Sequence, residues 1–175
     1  MAKLRKMLGT ADSPYIISLM RIIETQNKTT IITWSVKYAE AYLLPIYEKA
    51  YPEDTRLKNA LTAALSFVEG GMKLADAKKL VREAQGAAKE AEGNPIAQAA
   101  ARACAQAAAT ITTITNSLAV AFYGSAAIAY DRVGLESSAE VYEDIAAEVC
   151  SKYESELHKI AVENEPNPVK INWNC

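Results

Sequence analysis

Residues 103–130 read ACAQAAATITTITNSLAVAFYGSAAIAY and contain no charged side chain. On a helix this stretch is apolar on almost every face, and such a helix must be covered by protein or by lipid. Lipid is the poorer cover, because polar groups are costly in a bilayer core and the middle of the stretch holds Gln106, Thr110, Thr112, Thr113, Thr115, Asn116 and Ser117. We therefore predict a buried central helix, rich in alanine and threonine, inside an all-α fold.

The flanking sequence has the apolar spacing of several further helices. Ser13-Pro14 begins a short one, Pro45 should kink the second, Gly70-Gly71 closes the third, and Gly93-Asn94-Pro95 separates the fourth from the central one. We expect five or six helices in one domain over residues 1–175, with 95–132 as the buried centre. Its parts are a short N-terminal helix within 1–27, a C-terminal helix within 135–163 and an extended tail over 164–175.

Composition and charge exclude several classes of protein. Half of the 175 residues are hydrophobic and 23% are charged, as in ordinary globular proteins. The net charge of −2 gives no general attraction for nucleic acid or for an anionic membrane, so we expect neither as a partner. Cys104, Cys150 and Cys175 are far apart and form no C-x-x-C motif. Reduced thiols and a cytoplasmic location are the expectation, since a signal-peptide pattern is also missing.

The chain is poor in residues for catalysis or metal binding. His158 is its one histidine, and Glu154 precedes it by four positions. A di-iron bundle needs Glu-x-x-His from two helices, and hydrolytic zinc sites commonly need several His or Cys ligands. Phosphate-binding loops and dinucleotide fingerprints are missing as well. We therefore expect no catalytic residue, no metal and no cofactor, and interpret Glu154 and His158 as a surface pair.

Two polar groups could still form a site. Asp54 and Arg56 follow Tyr51-Pro52, where Asp54 would cap the next helix and Arg56 would pair with a neighbouring carboxylate or carbonyl; alternatively they contact a partner at an exposed corner. Thr112 and Asn116, with Thr115 between them, would lie on successive turns of the central helix. They either line a small polar cavity or bond back to carbonyls one turn earlier.

Aromatic residues in the second predicted helix are the third candidate group. Trp34 and Tyr38 stand at helical spacing, and Tyr42 and Tyr47 continue the set. Packing in the core is the simpler interpretation. The alternative makes them the apolar wall of a ligand pocket beside the polar groups of the central helix.

Two blocks of sequence resemble a known family. The first contains Trp34, Tyr38-Ala39-Glu40, Leu44-Pro45-Ile46-Tyr47-Glu48, Tyr51-Pro52-Glu53-Asp54, Arg56, Ala60, Phe67 and Gly70. The second contains Ala99-Ala100-Ala101-Arg102-Ala103, Gln106-Ala107-Ala108-Ala109-Thr110, Ala121-Phe122-Tyr123-Gly124 and Ala126-Ala127. Together they resemble the immunity proteins of bacterial polymorphic toxin systems, the fifth numbered immunity family. The resemblance covers about residues 30 to 134 and marks 28–134 as a family-like core.

The resemblance implies a protein that binds a cognate toxin, of unknown type, and neutralises it without catalysis. Histidines often stand in the family pattern where this chain has Thr112 and Asn116, and sometimes at Gln106, so no metal or proton-transfer role carries over to these positions. The alternative function is a helical small-molecule-binding module, or an enzyme, with a polar pocket along the central helix. The acidic face of the last helix is a candidate toxin-binding surface if the toxin is a basic nuclease; the simpler interpretation is an ordinary solvated face.

The N-terminal helix raises the question of assembly. Ile16, Ile17, Leu19, Met20, Ile22 and Ile23 make it more apolar than one buried stripe requires. An exposed apolar surplus usually marks an interface, so a homodimer through this helix is one expectation. The alternative is that both termini fold back onto their own chain.

Overall fold

The computed structural model describes residues 3–174; Met1, Ala2 and Cys175 lie outside the described residues, and so does any prediction about the Cys175 thiol. The helices are α1 (Pro14–Ile23), α2 (Lys28–Tyr38), α3 (Leu44–Ala50), α4 (Arg56–Val68), α5 (Leu74–Glu90), α6 (Pro95–Ala109), α7 (Asn116–Val133) and α8 (Ala139–Ile160). Residues 3–174 contain no strand, so the all-α prediction is confirmed. The predicted five or six helices become eight segments, because two of them are interrupted.

The first interruption lies before Pro45. Residues Ala39–Leu43 form one π-helical turn that joins α2 to α3 without a break in the helical path. The Leu44 N–H bonds to the Ala39 carbonyl five residues back, which is the π-helical pattern. Proline has no N–H and crowds the carbonyl four residues before it, so the widened turn accommodates Pro45 inside a continuous helix.

The second interruption corrects the prediction of one central helix over 95–132. Residues 110–115 form a turn, and α6 and α7 fold against each other as a hairpin. The hydroxyl of Thr110 donates to the Ala107 carbonyl at 2.6 Å and that of Thr112 to the Ala109 carbonyl at 3.0 Å. These bonds to the carbonyl three residues back compete with the helical ladder. The threonine cluster therefore ends α6.

Small side chains allow α6 to pack inside the bundle. Alanines occupy nine of the thirteen positions 97–109, and all nine are buried. Helix α6 packs against α7, α5, α3 and α4, because alanine lets helix axes approach closely. A Cβ atom at Gly124 of α7 would lie 3.4 Å from the Leu43 side chain, so this glycine also marks a close approach. The buried residues of all eight helices form one hydrophobic core.

The glycine pair after α4 ends that helix as predicted. Gly70 has a φ of 81°, a conformation that glycine adopts without the steric cost of a side chain. Its N–H bonds to the Phe67 carbonyl at 3.1 Å, and the Gly71 N–H bonds to the Ser66 carbonyl at 2.8 Å. This is the Schellman arrangement, which satisfies the last carbonyls of a helix.

Both termini pack on their own chain. In α1, the side chains of Ile16, Leu19 and Ile23 are fully buried, and the helix lies against α8 and α7. The tail after α8 docks through Gln26, whose side chain accepts from Val162 N at 2.8 Å and donates to Val162 O at 3.1 Å. Three further apolar tail residues pack against the core, namely Val169, Ile171 and Trp173.

The apolar surplus of α1 is therefore largely covered by the chain itself. The remaining apolar residues of the helix, Ile17, Met20 and Ile22, are half-buried rather than exposed. The structure thus removes the premise of the expected homodimer and favours the alternative of termini that fold back. In the described span, no helix has both the length and the apolarity needed to cross a membrane.

Candidate functional site

The corner between α3 and α4 holds the most concentrated group of charged contacts. Helix α3 ends at Ala50, and α4 begins at Arg56 with Thr55 as its N-cap residue. Asp54 is thus not the N-cap itself, which corrects the prediction. Its carboxylate still satisfies a free donor of the first turn, because Oδ1 accepts from Arg56 N at 3.1 Å.

The Asp54 carboxylate also binds the Arg56 side chain through two donors. Arg56 Nε lies 3.0 Å from Oδ1, and Nη2 lies 2.8 Å from Oδ2. The Tyr47 hydroxyl, on α3, donates to Oδ2 at 2.6 Å. Arg56 Nη2 then reaches Glu90 Oε2, at the end of α5, at 2.6 Å. The corner therefore ties α3, α4 and α5 together through one guanidinium and two carboxylates.

Hydrogen bonding dominates the electrostatics of this corner. The Arg56 side chain holds the pKa of Asp54 well below its ordinary value, with Tyr47 adding to the same effect. The bond from Arg56 also lowers the pKa of Glu90, while the bond to Asp54 raises the pKa of Arg56. Burial, and then the bond to Asp54, raise the pKa of Tyr47. The acids are ionised and the tyrosine is neutral at pH 7, so the corner is a stable ion-pair network and holds no group that titrates near neutrality.

Trp34 and Tyr38 lie in the core. The Trp34 ring stacks on Tyr153 of α8, with ring centroids 3.8 Å apart, and its Nε1 donates to the Tyr153 carbonyl at 2.8 Å. Tyr38 packs on the same Tyr153 ring at 4.6 Å. The Tyr153 hydroxyl bridges Ser35 Oγ and the Ser117 carbonyl, each at 2.9 Å. This cluster joins α2, α7 and α8, and it fills space rather than lining a pocket.

Thr112 and Asn116 do not line a polar cavity on a central helix. Thr112 is exposed in the turn between α6 and α7, and Asn116 is the first residue of α7. Both side chains donate to the same carbonyl, that of Ala109, at 3.0 and 3.2 Å. The two residues therefore close the turn, and the geometry does not support the ligand pocket or enzyme site expected there.

The six predicted positions thus belong to three groups: the Asp54–Arg56 corner, the Trp34–Tyr38 aromatic cluster and the Thr112–Asn116 turn. Sequence reasoning missed the partners that complete the first two. Glu90 is 34 positions from Arg56 and Tyr153 is 119 positions from Trp34. Helical periodicity placed each of these partners on a helix, but it gave no signal for which helices would meet.

The histidine and the cysteines have structural surroundings. His158 Nε2 lies 3.6 Å from Glu154, and its side chain is 59% exposed, as expected of a surface pair. Burial raises the pKa of Cys104 and, to about 11, that of Cys150, so both thiols are protonated at neutral pH. Among residues 3–174 there is no group of three or more His, Cys, Asp or Glu that could hold a metal ion.

No curated protein and no solved structure matches this chain. One family model does match, and it covers residues 21–156. The match begins within α1, ends within α8, and includes the charged corner, the aromatic cluster, the inter-helix turn and all of α6. Because it covers well over half of the chain, the protein belongs to the family described as "Imm-5 like putative immunity protein".

Proposed function

We propose that this protein is a cytoplasmic immunity protein that binds a cognate toxin and blocks it by occlusion, without catalysis. The single observation that carries the proposal is the family match over residues 21–156. Occlusion requires a rigid protein with a surface complementary to that of the toxin. The hydrogen bonds of the Asp54–Arg56–Glu90 corner and of Trp34 with Tyr153 supply rigidity between distant segments.

On this proposal, a gene beside this one should encode a toxin domain, and the experiment uses that domain. Co-expression of the immunity protein is expected to restore growth of cells that produce the toxin. A toxin from another locus, produced at the same level, is the matched control and should still kill. Unrestricted killing by the neighbouring toxin, with the immunity protein present in soluble form, would contradict the proposal.

Stoichiometry then separates occlusion from catalysis. Purified toxin should lose activity in proportion to added immunity protein and reach full inhibition near a one-to-one ratio, because each bound molecule blocks one toxin. An enzyme that inactivates the toxin or its product would protect at a small fraction of that ratio and would continue to do so with time. Protection of that second kind would refute non-catalytic occlusion and leave the family assignment unchanged.

A further inference from the structure

Two cavities lie next to each other along α6. The first, of about 240 Å³, lies between α6 and the N-terminal segment; the second, of about 190 Å³, lies between α6 and the end of α5. Gln98 and Arg102 line both cavities, so the two lie on either side of these side chains. We call this surface the α6 groove.

The α6 groove is entirely basic in its ionisable side chains apart from the neutral Tyr130 phenol. Lys3, Arg5 and Lys6 line the first cavity, Lys89 lines the second, and Arg102 lies between them. No aspartate or glutamate lines either cavity, although the chain as a whole has a net charge of −2. The other polar side chains are neutral amides, from Gln85, Gln98 and Gln106. The local charge is therefore opposite to the net charge of the protein.

These basic groups have no acidic partner in the part of the chain that the structure describes. Each ion pair within 4.0 Å there involves other residues, on the basic side Lys49, Arg56, Arg132, His158 and Lys159. The acidic face of α8 is the reverse case. Four of its carboxylates already have partners in this chain: Glu143 with Tyr15, Glu148 with Arg132, Glu154 with Ser18 and Glu156 with Lys159.

The walls of the α6 groove are held in place by hydrogen bonds. Gln98 Nε2 donates to the Ala88 carbonyl at 2.9 Å, which fixes α6 against α5. The Tyr130 hydroxyl donates to the Arg5 carbonyl, which fixes the N-terminal segment against α7. A surface whose shape exists before binding loses less entropy when a partner arrives. The clustered positive charge is thus presented on a preformed concave surface.

We infer that the α6 groove binds an acidic segment of the toxin. This inference rests on the proposed function, and charge complementarity selects the occupant. The planar guanidinium of Arg102 can hold a carboxylate through two parallel hydrogen bonds. Lysine ammonium groups on either side add attraction along an extended segment, and the glutamine amides can donate to carboxylates or to peptide carbonyls. The two cavities in series suit a chain segment with more than one acidic residue.

The test compares charge-reversed variants with a matched control on a neighbouring surface. Arg102→Glu and Lys89→Glu reverse charges in the α6 groove, and Lys78→Glu makes the same change about three turns away on α5. Each variant is checked for a wild-type circular dichroism spectrum and melting temperature. Lys89 is exposed, so its reversal keeps the test open if the Arg102 variant loses stability.

The binding assay is calorimetric titration with the inactivated toxin domain encoded beside this gene. We expect each groove reversal to weaken binding by about tenfold or more, and Lys78→Glu to change it by less than about twofold. Wild-type binding should also weaken as salt rises, and more steeply than that of the Arg102 variant. Groove variants that bind the toxin like the wild type would overturn the inference.

A second arm separates this inference from the proposed function. A fluorescent oligoglutamate peptide and a single-stranded oligonucleotide of equal charge are titrated into the protein at low salt. We expect the peptide to bind and Arg102→Glu to abolish that binding. Preference for the oligonucleotide, self-association that fills the groove with a second copy, or binding of neither probe would overturn the inference. If the wild type ignores the toxin but binds the peptide through Arg102, the proposed function fails and the acidic specificity of the groove stands.

Discussion

The Asp54→Asn substitution tests the ion-pair network at the corner between α3 and α4. Asparagine keeps the size of the side chain but replaces one carboxylate oxygen with an NH₂ group. That group would face the donors of Arg56 or of Tyr47, so at least one hydrogen bond becomes a contact between two donors. The substitution therefore removes the charge and part of the geometry, while the path of the backbone can stay unchanged.

The expected loss follows from the bonds that Asp54 accepts. Its carboxylate receives the Tyr47 hydroxyl, the Arg56 backbone N–H and two donors of the Arg56 side chain. The Asp54 side chain is 17% exposed and that of Arg56 is 33% exposed, so solvent screening reduces the value of the pair. We expect a loss of about 2 kcal/mol in the free energy of unfolding at pH 7. For a chain of this size, that corresponds to a fall of roughly 4–8 °C in Tm.

The stronger test is how the loss in the free energy of unfolding depends on pH. In the folded protein, Arg56 holds the pKa of Asp54 below its ordinary value. In the unfolded chain, the pKa of Asp54 should be about 3.9. The stabilisation is therefore complete above the unfolded pKa and declines as pH falls below it, because the unfolded chain then binds a proton that the native protein does not. The slope is about 1.4 kcal/mol per pH unit, so the difference between wild type and Asp54→Asn should shrink by about 1 kcal/mol between pH 7 and pH 3.

Urea denaturation at pH 7 and at pH 3, on wild type and variant side by side, measures both quantities. Titrating groups outside this network are common to both proteins, so they cancel in the difference. Glu90→Gln is the control, since Glu90 is 67% exposed and its loss should cost less than that of Asp54. An Asp54→Asn variant as stable as the wild type, or a difference that stays the same at pH 3, would refute the claim that Asp54 anchors this corner as an ionised carboxylate.

Three further substitutions test the packing. Gly86→Ala should raise Tm by roughly 2–4 °C, because alanine favours the helix by about 1 kcal/mol and its Cβ would lie 3.9 Å from Arg56 Nη1, an ordinary contact; a lower Tm in thermal melts would contradict this. Ala107→Glu, at a fully buried position of α6, should destabilise by several kcal/mol, on the order of what an unpaired buried charge costs, whereas Ala75→Glu on the exposed face of α5 should leave Tm nearly unchanged. Gln26→Leu should speed hydrogen exchange of the Val162 amide by about tenfold or more, since this amide loses the Gln26 Oε1 acceptor that protects it; unchanged protection would show that the tail is held by other contacts.

Periodicity predicted the helices well where each had one buried face. Helix α4 ends just before Gly70-Gly71, α5 ends just before Gly93-Asn94-Pro95, and α8 lies within the predicted 135–163. The central stretch failed for a physical reason. One long buried helix and two shorter buried helices in a hairpin both require side chains that are apolar on every face, so periodicity cannot separate them. The cluster from Thr110 to Thr115 was the available signal, because hydroxyls that bond back to carbonyls favour a helix end as readily as a polar stripe.

The candidate sites contain contacts between residues close in sequence, which sequence reasoning can predict, and contacts between distant segments, which it cannot. The pairing of Asp54 with Arg56 is local, two positions apart, and sequence alone suggested that Arg56 would find a carboxylate. Its second partner, Glu90, depends on how the end of α5 meets the start of α4, which no pattern in either helix specifies. The α6 groove depends on an even less local event, because Lys3, Arg5 and Lys6 reach α6 only when the N-terminal segment packs beside Tyr130.

Counting charges along the sequence points to the acidic face of α8, whereas the fold points to the α6 groove, for the same reason. The last helix carries five glutamates and Asp144, and on that ground its acidic face is the candidate surface if the toxin is basic. Folding brings the cations Arg132 and Lys159 to Glu148 and Glu156, so two charges of the acidic face are already paired. Two further glutamates accept hydrogen bonds from the neutral hydroxyls of Tyr15 and Ser18. Folding brings no carboxylate to the lining of the α6 groove. Because a charge that is already paired gains less from a new partner than an unpaired one, the surface that attracts the toxin is expected to be basic, although the protein as a whole is acidic.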